Sequence, residues 1–276
     1  MKKITLLSLF AAVAFAAMAV SCKTVIKKSA NHGSGLEASE KFISKKLDVK
    51  TVDEIDISGV VDVIYIQDGT TSAEIVVPDN VIEMYRYSAK GGKLKVWKES
   101  KENIRFKETN HPKLILHSPG LKEIELSGMT SFTTKSLMTD GAGTEFDVSG
   151  ASSINIAQLG GEKISMDLSG ASSMKVASVK VTNLYLECSG ASSAAMVVDS
   201  AQLIDVDCSG ASNVELTGTA NTLILECSGA SKINADKLVA ETGKLDASGA
   251  SKINANIKNP RSKEASGMSK VSNKSK

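Results

Sequence analysis

Residues 149–152 of the chain read Ser-Gly-Ala-Ser, and the same four residues return at nearly even intervals through its second half. The copies begin at Ser149, Ser169, Ser189, Ser209, Ser228 and Ser248, and looser copies begin at Ser127 (Ser-Gly-Met-Thr) and Ser266 (Ser-Gly-Met-Ser). A fixed period of about 20 residues is typical of a solenoid, in which each repeat packs only on its neighbours. The repeat therefore predicts the architecture of this part of the chain.

The residues around each phrase alternate between apolar and polar. Met166-Asp167-Leu168 leads into one phrase, and Ile154-Asn155-Ile156 follows another. This period of two is typical of a strand with one buried face, and no apolar stripe of helical period is present. Each repeat is predicted to contain a strand, a tight Ser-Gly corner, a second strand and a variable return such as residues 158–162.

A coil of about 20 residues, each rising roughly 3.3 Å, is long enough for one turn of a parallel β-solenoid. Parallel crossovers are overwhelmingly right-handed. The predicted fold is therefore all-β: a right-handed parallel β-helix (β-solenoid) with coils of about 20 residues and an N-terminal β cap. A cap is expected because an exposed terminal coil would pair with other chains.

Stacking in register turns equivalent positions of the repeats into columns. One inward column is predicted to contain Leu126, Val148, Leu168, Cys188, Cys208, Cys227, Ala247 and Ala265. The outward column beside it is acidic in every coil and contains Glu125, Asp147, Asp167, Glu187, Asp207, Glu226 and Asp246, followed by Glu264. Every coil is acidic at this position although like charges so close repel one another, and this column with its flanking serines is the candidate binding surface.

The N-terminus predicts secretion. Met1-Lys2-Lys3 is positive, residues 4–20 are apolar, and Ala19-Val20-Ser21-Cys22 ends the apolar run. This pattern indicates a signal peptide over residues 1–21 rather than a spanning helix. The end of the run resembles the lipobox of bacterial lipoproteins, which implies cleavage before Cys22 and lipid attachment to its thiol. An ordinary signal peptide followed by a chance cysteine is the alternative.

The remaining segments are assigned by composition. Residues 22–41 are polar and basic and are predicted to be a tether. Residues 42–126 are predicted to form the N-terminal β segment, with opening coils and a cap. That segment continues into the solenoid of residues 127–272, and residues 273–276 are predicted to fray.

The chain resembles the head GIN domain family of putative auto-transporter adhesins, which are envelope proteins common in Bacteroidetes. The resemblance rests on the lipoprotein-like leader, the opening strands around Ile55-Asp56-Ile57-Ser58-Gly59 and the Ser-Gly-Ala-Ser coils. It spans roughly residues 42–273 and implies a β-helix-like fold, with no catalytic residues to carry over. Surface-exported lipoproteins of that phylum tend to have acidic residues after the lipidated cysteine, whereas Lys23-Thr24-Val25-Ile26-Lys27-Lys28 has none.

The cysteines and carboxylates of the repeats are interpreted as structural or solvated groups rather than metal ligands. Cys188, Cys208 and Cys227 are predicted to be a stack of buried thiols, with one disulfide between adjacent coils as the alternative. A metal site on these sulfurs lacks further ligands. Carboxylates of adjacent coils could share calcium, but a solvated charged face is the default interpretation. No metal or cofactor is therefore expected.

Catalysis and nucleic-acid binding find little support in the repeats. All three histidines (His32, His111 and His117) precede the repeats, and Arg261 is the only arginine after Arg105. Glycoside hydrolysis needs two carboxylates at a set separation in a cleft, and a regular column does not single out such a pair. A net charge of +2 and the absence of a basic stripe with aromatic residues argue against nucleic acid.

The sequence thus predicts a lipid-anchored outer-membrane protein that acts by adhesion or ligand binding and not by catalysis. Its partners would be the membrane, through the N-terminal lipid, and an unknown protein or glycan. Whether it faces the periplasm or the cell surface stays open, as does pairing between copies. The alternatives are a periplasm-facing scaffolding lipoprotein and, less favoured, a carbohydrate-active enzyme.

Overall fold

Alternating sequence produces strands along residues 35–275, which are the residues that the computed structural model describes. The strands are β1 (Leu36–Glu37), β2 (Phe42–Leu47), β3 (Glu54–Gly59), β4 (Asp62–Gln67), β5 (Ser72–Pro78), β6 (Tyr85–Lys90), β7 (Lys93–Lys98), β8 (Ile104–Arg105), β9 (Lys113–Ser118), β10 (Glu123–Gly128), β11 (Ser131–Thr139), β12 (Gly143–Val148), β13 (Ser153–Leu168), β14 (Ser173–Cys188), β15 (Ser193–Cys208), β16 (Asn213–Cys227), β17 (Lys232–Ala247), β18 (Lys252–Ala265) and β19 (Lys270–Asn273). A short 3-10 helix at Ile82–Met84 is the only helix in this part of the chain. The predicted all-β solenoid is confirmed.

Each coil of the repeat region is one long strand that bends. Strand β14 extends from the residue after one phrase to the residue before the next and pairs in parallel with β13 and β15. The predicted variable return, residues 158–162, lies inside β13. Pairing is locally irregular at the bend, as between Val176 and Val179.

The corner requires glycine at its second position. Gly170 has a φ of 69°, a conformation that other residues rarely adopt. The amide of Ala171 donates to the carbonyl oxygen of Gly150 at 2.7 Å, and that of Ser173 donates to the oxygen of Ser152 at 2.9 Å. The backbone of one corner therefore lies directly on the backbone of the next.

The last serine of each phrase points into the core. Ser212 is buried, and its hydroxyl donates to the carbonyl oxygens of Ser209 at 2.8 Å and Cys188 at 3.2 Å. One bond lies within the corner, and the other joins the corner to the preceding coil. The hydroxyls of Ser172 and Ser192 are also buried but have no hydrogen-bond partner in the described part of the chain.

The predicted inward column is buried from Leu126 to Ala247, but Ala265 is exposed. Ala265 pairs with Ala247 on one side, and no described strand pairs with its other side. Its assignment to the buried column was therefore wrong, because the last coil has nothing stacked on it. The adjacent inward position, in register with Leu245, holds the exposed Lys263.

The N-terminal coils do not follow chain order. Strand β3 lies between β7 and β10, and β4 lies between β9 and β11, with all four pairings parallel. The first coil in sequence is thus covered on both sides by strands that come later. The sequence predicts opening coils that continue into the repeats, and the pairing of β3 with β10 and of β4 with β11 agrees with this. The sequence does not predict that β7 and β9 cover the other side of β3 and β4.

The cap consists of antiparallel strands at the N-terminal end. Strand β6 pairs with β7, and β2 pairs with β5, which in turn pairs with β9. Folded structure begins before Phe42, because β1 pairs with β8 and Ala38 is buried.

The predicted signal peptide and Cys22 lie outside the described residues. Within residues 35–275, no helix is long and apolar enough to span a bilayer.

Candidate functional site: an acidic column along the solenoid

The outward carboxylates of the repeats form one unbroken column. Each member pairs in parallel register with the member on the next coil. We call this set the acidic column; its members are Asp56, Glu125, Asp147, Asp167, Glu187, Asp207, Glu226, Asp246 and Glu264. Adjacent strands are roughly 4.8 Å apart, so the column presents carboxylates at that repeat.

Lysines neutralise parts of the column near its two ends. At the N-terminal end, Lys95 lies 2.6 Å from Asp56, and Lys93 lies 2.5 Å from Glu125. Near the other end, Lys244 lies 3.2 Å from Glu226. The other six members have no ion pair with a described residue. These six are Asp147, Asp167, Glu187, Asp207, Asp246 and Glu264.

Partial burial and repulsion between neighbours raise the pKa values of two members of the column. Partial burial raises the pKa of the Asp147 carboxyl above its ordinary value, and the charges of Asp167 and Glu125 raise it further. The pKa of Asp207 is raised by partial burial and then by the charge of Glu226. Their charged forms are therefore destabilised in the folded protein, and a cationic or hydrogen-bond-donating partner would relieve this cost.

Few basic residues lie near the middle of the acidic column in the sequence. Residues 143–227 contain ten acidic and three basic residues, whereas residues 228–275 contain nine basic and four acidic ones. An exposed strand position requires only a polar side chain, so folding does not explain carboxylates at every coil. The unneutralised stretch from Asp147 to Asp207 is the part of the column most open to a charged partner.

The surface depressions of the described residues lie away from the carboxylates of the repeats. Among the described residues, no group of three or more His, Cys, Asp or Glu side chains could hold a metal ion. Five surface depressions of about 350 to 670 Å³ are all lined by residues between positions 43 and 140. Asp56 lines one of them, and the carboxylates of the repeats lie outside all five.

The three cysteines of the repeats occupy adjacent coils in register. Cys188, Cys208 and Cys227 are buried, and all three are free thiols. The hydrogen bond that the Cys208 thiol donates to Cys188, together with burial, raises the pKa of Cys208, and the same hydrogen bond lowers the pKa of Cys188. Cys227 contacts the Ser231 hydroxyl at 3.2 Å. The Cys208 thiol therefore stays protonated, and all three cysteines fill the core as small apolar side chains.

Three charged residues at the N-terminal end of the column were missed by sequence reasoning. Asp56 continues the column before Glu125, and Ile55-Asp56-Ile57-Ser58-Gly59 repeats the pattern of the later coils, so this signal was present. Lys93 and Lys95 are on β7, which follows β3 in the chain but stacks on its outer side. The sequence contains no signal for that placement.

The fold and this surface define a class: a parallel β-solenoid with an antiparallel cap and an acidic column on one flank. The chain belongs to the family described as "putative auto-transporter adhesin, head GIN domain", which matches residues 51–196 and 176–276. No curated protein matches the chain.

Solved structures share the fold at low sequence identity. A putative adhesin from Bacteroides fragilis is 18% identical, with a TM-score of 0.65 over 87% of this chain and 100% of the other. One from Parabacteroides distasonis is 19% identical, with a TM-score of 0.56 over 87% and 98% of the two chains. A protein from Parabacteroides distasonis named as a putative lipid binding protein is 17% identical, with a TM-score of 0.54 over 86% and 98%.

Proposed function

We propose that this protein is a lipid-anchored envelope protein that binds a ligand through its acidic column, without catalysis, and so mediates adhesion. The observation that carries the proposal is the unbroken register of carboxylates, six of which have no ion pair with a described residue. Membership of the head GIN domain family supports a cell-envelope location and an adhesion-like role. The family description and the names of the structural neighbours refer to adhesion or binding and to no reaction.

Binding by such a surface would depend on repetition. Each exposed carboxylate contributes a weak contact, since isolated surface ion pairs are worth about 0–1 kcal/mol. Carboxylates that repeat at roughly 4.8 Å can engage several groups of an extended ligand at once, and linked weak contacts give useful affinity. The raised pKa values of Asp147 and Asp207 support a ligand that supplies positive charge or hydrogen-bond donors.

The anchor proposed for the chain is a lipid on Cys22, which lies outside the described residues. It can be tested by growing cells with radioactive fatty acid. The wild-type protein should carry label, and a Cys22→Ala variant should carry none. Equal labelling of both proteins would contradict the assignment of Cys22.

Attachment assays test the binding role. A deletion strain would be complemented with the wild type or with a variant that neutralises the column (Asp167→Asn, Glu187→Gln and Asp207→Asn). The control neutralises Glu162, Glu215 and Asp236, which lie outside the column. We expect fewer cells of the column variant on mucin-coated or uncoated polystyrene, and normal attachment of the control. Unchanged attachment of the deletion strain to both surfaces would exclude the adhesion role under these conditions.

A periplasm-facing scaffolding role is the second candidate. It is favoured by the six residues after Cys22, which include three lysines and no acidic residue. Protease treatment of intact cells separates the two candidates, with a known periplasmic protein as control. Loss of the protein while the control survives supports an exposed adhesin, and protection of both supports the scaffold.

A further inference from the structure

A second column lies on the other side of the corners. The first outward residue after each phrase is in parallel register with its equivalent on the next coil. These residues are Ser131, Ser153, Ser173, Ser193, Asn213, Lys232, Lys252 and Lys270. Every one of these side chains can donate a hydrogen bond, so we call the set the donor column.

The three lysines of the donor column are unsatisfied in the single chain. Lys232, Lys252 and Lys270 are all exposed and stacked on successive coils. None has a carboxylate within ion-pairing distance in the described part of the chain. They therefore repel one another as the carboxylates do, and the same kind of partner, one of opposite charge with the same spacing, would relieve both columns.

The strip between the two columns has a small, exposed side chain at its centre in most coils. The third residue of each Ser-Gly-Ala-Ser phrase is an exposed alanine, as at Ala191 and Ala250. At the two looser phrases the same position holds methionine. Met129 is 61% exposed and Met268 is 85% exposed. A partner could therefore approach the corners closely along their whole length and cover two apolar side chains.

We propose that the partner of the acidic column is a second copy of this chain, packed in parallel with corner row against corner row. A twofold axis along the solenoid keeps every coil at its own height and exchanges the two sides of the corner. The acidic column of each copy then faces the donor column of the other. Lys252 of one copy meets Asp246 of the other, because both residues flank the same corner.

Every coil from Glu125 onward contributes to this match. The carboxylates from Glu125 to Asp207 would face the serines and Asn213, and those of Glu226, Asp246 and Glu264 would face the lysines. The distance between successive residues is the same in both columns, because each column has one residue per coil of the same solenoid. An antiparallel pair in the same contact would place carboxylates against carboxylates, so charge selects the parallel arrangement.

This inference rests on the proposed binding role of the acidic column and names its partner. A parallel pair also has both N-termini at the same end, which suits two copies anchored in one membrane. Exposed ion pairs are individually weak and are screened by salt. The pair should therefore dissociate as ionic strength rises.

The test is sedimentation velocity of the mature chain from residue 22, with Cys22→Ser to prevent lipidation. We expect dimers at about 0.01 M salt, where the Debye length is about 30 Å, and monomers at about 1 M, where it is about 3 Å. A first variant (Lys232→Glu, Lys252→Glu and Lys270→Glu) and a second variant (Glu226→Lys, Asp246→Lys and Glu264→Lys) should each be monomeric at low salt. A control with Lys175, Lys180 and Lys237 changed to Glu should stay dimeric.

Mixing the first and second variants provides the decisive measurement. Each variant has two columns of one sign at these coils, so the two should form a heterodimer although neither pairs with itself. Circular dichroism establishes that both are folded. A wild type that stays monomeric at low salt, or variants that fail to combine, would overturn the proposal.

Orientation has a separate readout. An Ala250→Cys variant should form a disulfide-linked dimer in mild oxidant, because the twofold axis brings the two copies of position 250 together. No cross-link at this position would exclude the parallel pair. Failure of the wild type to dimerise would overturn self-pairing and leave the adhesion role intact, because cell attachment measures that role separately.

Discussion

A Cβ atom added to Gly210 would lie 2.6 Å from the carbonyl oxygen of Gly190, the glycine at the same corner position one coil earlier. Backbone meets backbone at this point, and neither side can move without displacing the coils beyond it. Gly210 also has a φ of 69°. Two independent constraints therefore exclude other residues from the second position of the phrase.

Replacing Gly210 with alanine should destabilise the protein by at least about 2 kcal/mol, because left-handed backbone alone costs roughly 1–2 kcal/mol and the contact with Gly190 adds to it. For a domain of this size that corresponds to a fall in Tm of about 4 °C or more. The matched control is Ala211→Ser at the exposed neighbouring position, which should change Tm very little. Equal melting temperatures for the two variants would contradict the close-packed corner.

The buried corner serines should differ in their contributions. Ser251 donates to the carbonyl oxygen of Cys227 at 2.9 Å, so Ser251→Ala should cost about 1 kcal/mol. The hydroxyl of Ser172 is buried without a partner, so Ser172→Ala should be neutral or stabilising. Chemical denaturation of the two variants provides the comparison. If Ser172→Ala lowered the free energy of unfolding more than Ser251→Ala, the hydrogen bond of Ser251 would not be the stabilising one of the two.

Partial burial and repulsion in the acidic column predict a pH-dependent stability. The pKa of Asp207 is raised in the folded state, so this group makes folding less favourable at neutral pH and the penalty disappears as pH falls below the ordinary value of about 4. Asp207→Asn should therefore raise Tm at neutral pH and leave it nearly unchanged below that value. Glu162→Gln, outside the column, is the control. A Tm gain for Asp207→Asn that persists in acid would point to another cause.

The cysteine stack should be inert in the folded protein. All three thiols are buried, which keeps reagents away from them, and the hydrogen bond to Cys188 and burial raise the pKa of Cys208. In a Cys22→Ser background, a thiol reagent should modify none of the three repeat cysteines quickly, and all three after unfolding in denaturant. Fewer than three reactive thiols after unfolding without reductant would indicate a disulfide in the sample.

The repeats were predictable because each position is used in the same way in every coil. The spacing of Asp147, Asp167 and Glu187 is enough to place their side chains in one column, since parallel stacking preserves register. The alternation of apolar residues likewise assigns the buried side. One sequence period therefore determines both the fold of residues 143–247 and the position of its charged surface.

Predictions failed where a residue's environment depends on strands distant in the chain. Ala265 has the sequence pattern of a buried residue, but no further coil covers it. Lys93 reaches Glu123 and Glu125 only because β7 folds back onto β3, and no local pattern records that contact. The order of the cap strands is likewise absent from the sequence, since β2 pairs with β5 and β6 pairs with β7.

The insertion of β3 and β4 between later strands makes the two ends of the solenoid unequal in how they can form. The N-terminal end is complete only when everything through β11 is present, because both sides of β3 and β4 are supplied by β7, β9, β10 and β11. Beyond β11, each new coil needs only the one before it as a template. Folding can therefore advance in one direction, from amino to carboxyl terminus. This is also the order in which the chain is synthesised, so coils can be added as they emerge.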